Sequence, residues 1–345
     1  MTPALLLNRA LTAATLGLMA VGATNRGDTP PVGSAPWTDP SPHRVLRIAV
    51  APQVQLEVLD WGGSGEPLVF LAGFGNSAHV FDGFAPAFVP HFHVLGVTRR
   101  GFGASSKPAT GYDTTTLVHD ILAVLDSLHF KRASFAAHSF GGSELNYLGA
   151  HFPARVDRLV YLDAAVDHRQ LYDSPTWLAA FPPPEPPYAT YGDYGGDSIA
   201  AWLLWAERLS GPGYPEAEVR SMFRYDQSDL VTGRTAADSI DRVLQRGTLP
   251  AELSRIRVPV LAIYAVAGSA PVMYPFWDAL DSTARARARK SFAAISSAFA
   301  GQEVRFRREV KDVRIREIPG ARHYVFLTDP GEVRHQMLEF LLRRG

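Results

Sequence analysis

Five residues near the middle of the chain, Ala137-His138-Ser139-Phe140-Gly141, constrain its fold more than any other stretch. They lie between an apolar run, residues 133–137, and a helix-like segment that opens with Gly141-Gly142. A small residue two positions before a serine and a glycine two positions after it permit a tight turn from strand to helix. Such a turn raises the serine hydroxyl above the sheet and leaves it exposed. The motif therefore predicts a strand, a sharp turn and a helix, with Ser139 as a candidate nucleophile.

Composition narrows the classes of protein to which this chain can belong. Its 345 residues are 46% hydrophobic and 20% charged, which is ordinary for a globular chain with one large domain or two. The 34 basic and 34 acidic residues balance, so no overall charge favours nucleic acid or an anionic membrane as a partner. Cysteine is absent, which excludes disulfides, thiolate metal sites and cysteine nucleophiles.

The first residues of the sequence predict an exported protein. Arg9 precedes an apolar run over residues 10–21, and small residues follow at Gly22-Ala23. This order is typical of a secretory signal peptide, predicted for residues 1–23, and the run is shorter than the roughly 20 residues of a membrane span. An uncleaved anchor is the alternative. Residues 24–42 are rich in Pro, Gly, Ser and Thr, which predicts a flexible leader. We expect a periplasmic or secreted mature chain without stable membrane insertion.

Alternating strand and helix patterns predict an α/β core. Residues 45–50 and 54–59 are expected to form an opening antiparallel hairpin, because the second run alternates apolar and polar side chains. Continuous apolar runs, typical of buried parallel strands, then alternate with helical periodicity. The expected strands cover residues 68–71, 93–97, 133–137, 159–162, 258–265 and 313–318. The expected helices cover residues 114–128, 141–151, 284–307 and 332–342. This alternation indicates a mostly parallel central sheet flanked by helices.

The alternation stops near Asp167 and resumes at Val258, which predicts an insertion over residues 168–255 and a core over residues 43–167 and 256–345. The interval contains Gly-rich turns, helical pieces such as residues 199–209 and many aromatic residues. The aromatic residues include Trp177, Phe181, Tyr188, Tyr191, Tyr194, Trp202 and Trp205. Because disordered segments are poor in aromatic residues, we interpret the interval as a helical cap over the carboxyl ends of the strands.

Four loop motifs, taken in order, resemble those of the α/β-hydrolase family. They are Leu71-Ala72-Gly73-Phe74-Gly75 after the third strand, Arg100-Gly101-Phe102-Gly103-Ala104-Ser105 after the fourth, the Ser139 turn after the fifth, and Gly320-Ala321-Arg322-His323 after the last. The chain is similar to this family from about Val54 to its C-terminus. The resemblance implies an α/β-hydrolase fold with an inserted cap and a serine hydrolase activity, but it defines the fold better than the substrate.

The resemblance also implies which groups surround Ser139. A serine hydroxyl needs an adjacent base, and only His323 lies in the loop where the family carries that base. The backbone N–H groups of Phe74 and Phe140 are the implied oxyanion hole. Ala72 stands where the family often has a histidine, which leaves the main-chain donor intact but changes how the loop is braced. A simple helix N-cap is the alternative role for Ser139.

The acid that would orient the histidine is not where the family usually carries it. The residues after the predicted strand 258–265 include no carboxylate as far as Pro271. Some relatives carry the acid one strand earlier, and Asp163 occupies that place here. Asp163 is therefore the candidate acid, with the capping of a turn as the alternative role and Asp167 as the next choice.

No metal or cofactor is expected from the sequence. His91 and His93 form a His-x-His pair, but no third ligand is evident. His138 adjoins the candidate nucleophile, but successive side chains on a strand point to opposite faces. We interpret His138 as a buried or hydrogen-bonded neighbour.

These residues predict a serine hydrolase that cleaves an apolar ester or lactone through an acyl-enzyme, because an aromatic cap suits an apolar pocket. A proline-type aminopeptidase is an alternative, and its acidic patch would come from Glu185, Asp193, Asp197 and Glu207. A cofactor-free haloperoxidase or perhydrolase would use the same candidate residues. A ligand-binding protein on a hydrolase scaffold is the non-enzyme alternative, which the missing acid after residues 258–265 keeps open.

Overall fold

The computed structural model describes residues 37–178, 180 and 198–343. The predicted signal peptide, most of the predicted leader and part of the predicted cap lie outside these residues. Four aromatic residues of the predicted cap also lie outside the described residues, namely Phe181, Tyr188, Tyr191 and Tyr194.

An eight-stranded sheet forms the centre of the fold. The strands of the described chain are β1 (Arg44–Ala51), β2 (Val54–Gly62), β3 (Pro67–Leu71), β4 (His93–Val97), β5 (Ala133–His138), β6 (Val156–Leu162), β7 (Phe223–Tyr225), β8 (Val231–Arg234), β9 (Val260–Val266) and β10 (Val313–Pro319). The sheet order is β1-β2-β4-β3-β5-β6-β9-β10, while β7 and β8 form a separate ribbon. The pairs β1-β2 and β2-β4 are antiparallel and all other neighbours in the sheet are parallel. The predicted mostly parallel sheet is confirmed.

Helices cover both faces of the sheet. They are α1 (Thr114–Ser127), α2 (Gly141–His151), α3 (His168–Asp173), α4 (Pro175–Leu178), α5 (Ile199–Ser210), α6 (Glu216–Met222), α7 (Asp238–Gly247), α8 (Ala270–Met273), α9 (Ser282–Glu309), α10 (Val325–Thr328) and α11 (Pro330–Leu341). Within the described residues, no helix combines the length and the apolar character that crossing a membrane requires.

The central strands are buried on both faces, which is why they appear as continuous apolar runs in the sequence. All residues of β3 and β5 are buried. Leu68 and Phe70 face one hydrophobic core, whereas Val69 and Leu71 face a second core on the opposite side. This alternation follows from the two-residue repeat of a strand. The parallel strands all end at one edge of the sheet, and the loops that carry the candidate site residues meet there.

Several predicted strand boundaries differ from the structure by one to three residues, and the start of β9 shows a physical reason for such a difference. The apolar pattern begins at Val258, whereas β9 begins at Val260. Pro259 has no N–H group to donate to a neighbouring strand, so it precedes the ladder. Its carbonyl still accepts a hydrogen bond from Leu159 N–H at 3.0 Å.

The described part of the interval 168–255 lies between β6 and β9 and contains α3 to α7 with the β7-β8 ribbon. Trp202 and Trp205 of α5 are buried and belong to the same hydrophobic core as Phe70 of β3. Trp177 packs near Phe299 of α9, with ring centroids 6.2 Å apart. Aromatic side chains of this interval therefore pack against elements of the sheet and its flanking helices.

Residues 37–42, which the sequence predicts as the end of the leader, contact the rest of the fold. The Arg220 guanidinium lies 4.7 Å from the centre of the Trp37 ring. The Ser41 hydroxyl donates to Asp82 Oδ1 at 3.0 Å. Residues 37–42 therefore pack against the fold ahead of β1.

Candidate active site

Ser139 lies in a strained turn between β5 and α2. Its φ angle is 50°, in the left-handed region that non-glycine residues rarely adopt. The turn is fixed by hydrogen bonds on both sides, because Ser139 N–H donates to Leu162 O at 3.3 Å and Gly142 N–H donates to Ser139 O at 2.9 Å. Ser139 is half-buried, while both of its neighbours in sequence are buried. Strain of this kind costs about 1–3 kcal/mol and persists where the surrounding structure enforces it.

Close packing explains the two glycines that follow the serine. A Cβ atom at Gly142 would lie 2.0 Å from Ala164 O, and one at Gly141 would lie 3.0 Å from Leu71 O. No side chain fits at such distances without moving the backbone. The start of α2 is therefore held against the loops that follow β3 and β6.

Two hydrogen bonds join the three candidate catalytic side chains. The Ser139 hydroxyl donates to His323 Nε2, with an Oγ–Nε2 distance of 2.9 Å. The other ring nitrogen of His323 donates to Asp163, with an Nδ1–Oδ2 distance of 2.7 Å. The structure thus brings together Ser139, His323 and Asp163, which come from loops after three different strands.

Asp163 reaches the histidine because β6 and β9 are neighbours in the sheet. Its φ angle is 49°, and its N–H donates to Ile263 O of β9 at 2.7 Å. Its second carboxylate oxygen accepts a hydrogen bond from Ala265 N–H at 3.1 Å. The carboxylate of Asp163, which follows β6, therefore lies beside the end of β9, where the family usually carries the acid. Asp167, the next choice from sequence, instead caps α3 and pairs with Arg305 at 2.7 Å.

His138 supports the loop that carries His323. It is fully buried, and its Nε2–H donates to the backbone carbonyl of His323 at 3.0 Å. Burial, together with the nearby His323, holds the pKa of His138 well below its ordinary value of 6.5. Within the described residues its Nδ1 has no hydrogen-bond partner, and in a neutral ring with its proton on Nε2 this nitrogen carries no proton that needs an acceptor. The sequence interpretation of a buried, hydrogen-bonded neighbour matches this position.

The loop after β3 lies against the nucleophile turn. A Cβ atom at Gly73 would be 3.1 Å from Ser139 Cβ. The rings of Phe74 and Phe140 contact each other edge to face, with centroids 5.7 Å apart. In the part of the chain that the structure describes, neither residue's N–H donates to a protein acceptor. Both backbone donors are thus close to Ser139, and the oxyanion hole they would form stays a prediction.

A buried ion pair braces this loop where the family often has a histidine at the position of Ala72. The Arg99 guanidinium donates to Ala72 O at 3.0 Å and to Gly73 O at 3.3 Å. It also forms a two-pronged pair with Glu144 of α2, at 2.7 and 2.8 Å. Sequence analysis missed this role, because an arginine that follows a strand gives no indication of its partner.

Glu218 of α6 is a second residue that the sequence analysis missed. It is fully buried and accepts hydrogen bonds from Asn76 Nδ2 and Ser77 N–H, both at 3.0 Å, and from the Ser77 hydroxyl. The amide oxygen of Asn76 accepts from the Tyr324 hydroxyl at 3.0 Å. This network connects α6 to the loop that carries Phe74 and to the residue after His323.

Burial raises the pKa of the Glu218 carboxyl from 4.5 to about 7, although the hydrogen bonds from Ser77 and Asn76 act in the opposite direction. A carboxyl whose pKa is higher in the folded state stabilises the fold when protonated. That contribution is complete below about pH 4.5 and is lost as the pH rises to about 7.

We therefore expect the free energy of unfolding of the wild type, relative to Glu218→Gln, to fall by on the order of 2–3 kcal/mol between pH 5 and pH 8. Urea unfolding of both proteins at several pH values measures this difference. Glu66→Gln, at an exposed position, is the control and should show no such trend. If the free energies of unfolding of the wild type and Glu218→Gln differ by the same amount at every pH in this range, the raised pKa of Glu218 is contradicted.

A cavity of about 610 Å³ adjoins the candidate residues on the side of Asp163 and His323. Its walls are mostly apolar and come from the ends of β9 and β10 and from α8 and α9. The apolar lining includes Trp177, Leu209, Met273, Phe276, Phe292, Ile295 and Phe299. The cavity suits an apolar group of a small molecule.

Comparison with known proteins agrees with the observed fold. Residues 68–336 match the model of the Alpha/beta hydrolase family. The chain belongs to the alpha/beta hydrolase family. The predicted fold class is confirmed by this match and by the sheet order.

Individual alpha/beta hydrolases are distant from this chain. A stretch of 106 residues is 36% identical to the AB hydrolase superfamily protein YisY of Bacillus subtilis (strain 168) and covers 30% of this chain but only 39% of that protein. The 3-oxoadipate enol-lactonase 2 of Acinetobacter baylyi is 26% identical over 215 residues, which cover 62% of this chain and 76% of the relative. The solved structure of E-2-(acetamidomethylene)succinate hydrolase matches with a TM-score of 0.63 and 20% identity, over 87% of this chain and 99% of that one. This last similarity shows the fold alone.

Proposed function

We propose that this alpha/beta hydrolase is a serine hydrolase that cleaves a carboxylic ester or a lactone through an acyl-enzyme. The observation that carries the proposal is the unbroken chain of hydrogen bonds from Ser139 Oγ through His323 to Asp163, at 2.9 and 2.7 Å. A serine placed in this way can transfer its proton to the imidazole as it attacks a carbonyl carbon.

The reaction proceeds in two steps. Ser139 Oγ attacks the carbonyl carbon while His323 Nε2 takes the hydroxyl proton, and the N–H groups of Phe74 and Phe140 stabilise the oxyanion. The imidazolium then gives its proton to the alkoxide leaving group, which departs and leaves an acyl-enzyme. In the second step His323 takes a proton from water, and the resulting hydroxide attacks the acyl carbon. The bond from the acyl carbon to Ser139 Oγ then breaks as the imidazolium gives its proton to Ser139 Oγ, which releases the acid and restores the free serine.

Asp163 has two tasks in this scheme. Its carboxylate holds the proton of His323 on Nδ1, which leaves Nε2 free to accept the serine proton. Its negative charge also stabilises the imidazolium that forms in each step. The hydrogen bond from Ala265 N–H to the other carboxylate oxygen keeps the carboxylate in this orientation.

Two observations support an ester or lactone as the substrate. The cavity beside His323 is mostly apolar, which suits an acyl or alcohol group. A relative that matches 62% of this chain is named an enol-lactonase. An alkoxide leaving group also demands less of the general acid than an amine does, because it needs less protonation to depart.

A panel of p-nitrophenyl esters of graded chain length tests this proposal, run beside lactones and amino-acid anilides. We expect hydrolysis of medium-chain esters or lactones in preference to the acetate, because a longer acyl chain fills more of the apolar cavity. Hydrolysis of no ester or lactone would contradict the proposal, and cleavage of anilides alone would favour the aminopeptidase.

The aminopeptidase, the haloperoxidase or perhydrolase and the ligand-binding protein stay predictions, and a different measurement tests each of them. Of the acidic residues considered for an aminopeptidase, Glu185, Asp193 and Asp197 lie outside the described residues, and Glu207 accepts a hydrogen bond from Gly213 N–H at 3.3 Å. Peroxide-dependent oxidation by the purified protein would favour a perhydrolase. Stoichiometric ligand binding without turnover of any acyl donor would favour a binding protein.

A further inference from the structure

A second cluster of histidines and carboxylates lies where the residues before β1 meet the loop after β3. Its members are Asp39, His43, His79 and Asp82. Each offers one nitrogen or oxygen atom of a type that ligates metals, and these four atoms all lie within 4.8 Å of one another. Imidazole nitrogens and carboxylate oxygens together are a donor set that Zn²⁺ binds in proteins.

The distances within the cluster approach those of a four-coordinate site. His79 Nδ1 lies 2.8 Å from Asp82 Oδ2 and 3.4 Å from Asp39 Oδ2, and His43 Nε2 lies 3.5 Å from the same Asp39 oxygen. A tetrahedral Zn²⁺ with bonds of about 2.0–2.2 Å holds its ligand atoms roughly 3.3–3.6 Å apart. Small side-chain movements would therefore complete such a site.

Most of the side chains in this cluster are buried. The side chains of His43, Asp82 and His79 are only 3%, 6% and 11% exposed, and that of Asp39 is 24% exposed. The second ring nitrogen of His79 faces the buried Glu57 carboxylate at 3.9 Å. A carboxylate behind a ligating histidine orients the ring and makes it a better donor.

We propose that Asp39, His43, His79 and Asp82 bind one divalent cation of the Zn²⁺ type. The ion would fasten residues 37–43 to the 3-10 helix Ala78–Phe81, which directly follows the loop that carries Phe74. A disulfide cannot make this link, because the chain has no cysteine. The role of the ion is structural, and it takes no part in the chemistry at Ser139.

The proposed site does not include His91 or His93, the His-x-His pair that the sequence analysis considered as metal ligands. His93 Nε2 lies 2.9 Å from Asp60 Oδ1, and neither residue belongs to the proposed site. His91 is exposed and is not part of the cluster. It therefore serves as a control position for the metal-binding test.

The test uses the full chain, first stripped with a chelator and then titrated with ZnCl₂ by calorimetry. We expect one bound equivalent and a rise in the melting temperature. Asp39→Asn and His43→Gln should each weaken binding by at least about 100-fold, because both remove a direct ligand. His91→Gln should bind as the wild type does, and circular dichroism checks that each variant is folded.

Co²⁺ provides an independent readout on the wild-type protein, because tetrahedral Co²⁺ with nitrogen and oxygen ligands has a characteristic visible absorption. We expect this absorption to appear with one equivalent and to disappear when Zn²⁺ is added. The absence of stoichiometric metal binding by the stripped wild type, or equal affinity in folded Asp39→Asn and His43→Gln, would overturn the proposal. The four side chains would then be a network of imidazole–carboxylate pairs without an ion.

Discussion

Ser139→Ala should lower kcat for ester hydrolysis by roughly 10⁶-fold, the scale of loss when a serine hydrolase is deprived of its nucleophile. The substitution removes only one oxygen atom, so neither the strained turn nor the packing of Gly141 and Gly142 changes. Circular dichroism and thermal unfolding should therefore match those of the wild type. A steady-state assay with the best p-nitrophenyl ester measures the loss.

Ser143→Ala is the matched control for this substitution. Ser143 lies one helical turn further along α2, and its hydroxyl is hydrogen-bonded to His168 Nδ1 at 3.0 Å rather than to His323. We expect its kcat to stay within about tenfold of the wild type, since it does not touch the reacting groups. Retention of more than a few per cent of activity by Ser139→Ala would contradict the nucleophile assignment.

Asp163→Asn should lower kcat by roughly 10⁴-fold. An asparagine in this place can present its amide NH₂ to the ring, which favours the tautomer with the proton on Nε2. That tautomer cannot accept the proton of Ser139, and the neutral amide no longer stabilises the imidazolium. The kcat of the variant, measured from pH 5 to pH 9 with the same ester, tests this prediction.

Asp167→Asn separates the role of Asp163 from a general effect of losing a buried carboxylate nearby. Asp167 is buried and pairs with Arg305, so this variant should lose stability but keep its kcat within about tenfold. A loss below tenfold in Asp163→Asn, or a larger loss in Asp167→Asn, would move the acid to another residue.

The sheet could be predicted because a strand that is buried on both faces appears in the sequence as a continuous apolar run. β3 and β5 are apolar at nearly every position, since both of their faces meet a hydrophobic core. The order of the strands could not come from periodicity, which contains no information about neighbours. The order β1-β2-β4-β3-β5-β6-β9-β10 is therefore known only from the structure.

The candidate site was predictable where it depends on local backbone geometry. Ser139 needs a tight turn that only small neighbouring residues permit, and His323 follows a strand and a glycine turn. Asp163 could be placed only through the resemblance, because no carboxylate follows β9 closely and some relatives carry the acid one strand earlier. The pairing of β6 with β9 explains how Asp163 reaches the histidine.

The residues that the sequence analysis missed act through partners distant in the chain. Glu218 accepts hydrogen bonds from a loop 141 residues earlier, and Arg99 pairs with a glutamate 45 residues later. Neither the residue type nor the spacing in the sequence predicts such contacts. The cluster of Asp39 and His79 was missed for a related reason, because residues before 43 had the composition of a leader.

Labelling with a fluorophosphonate tests most directly whether Ser139 is an activated nucleophile. The reagent modifies a serine whose hydroxyl is activated by an adjacent base, and it requires no knowledge of the natural substrate. We predict a single adduct by intact mass, located by peptide mapping on Ser139, absent in Ser139→Ala and formed much more slowly in Asp163→Asn. An unlabelled wild-type protein, or an adduct on another residue, would contradict the account.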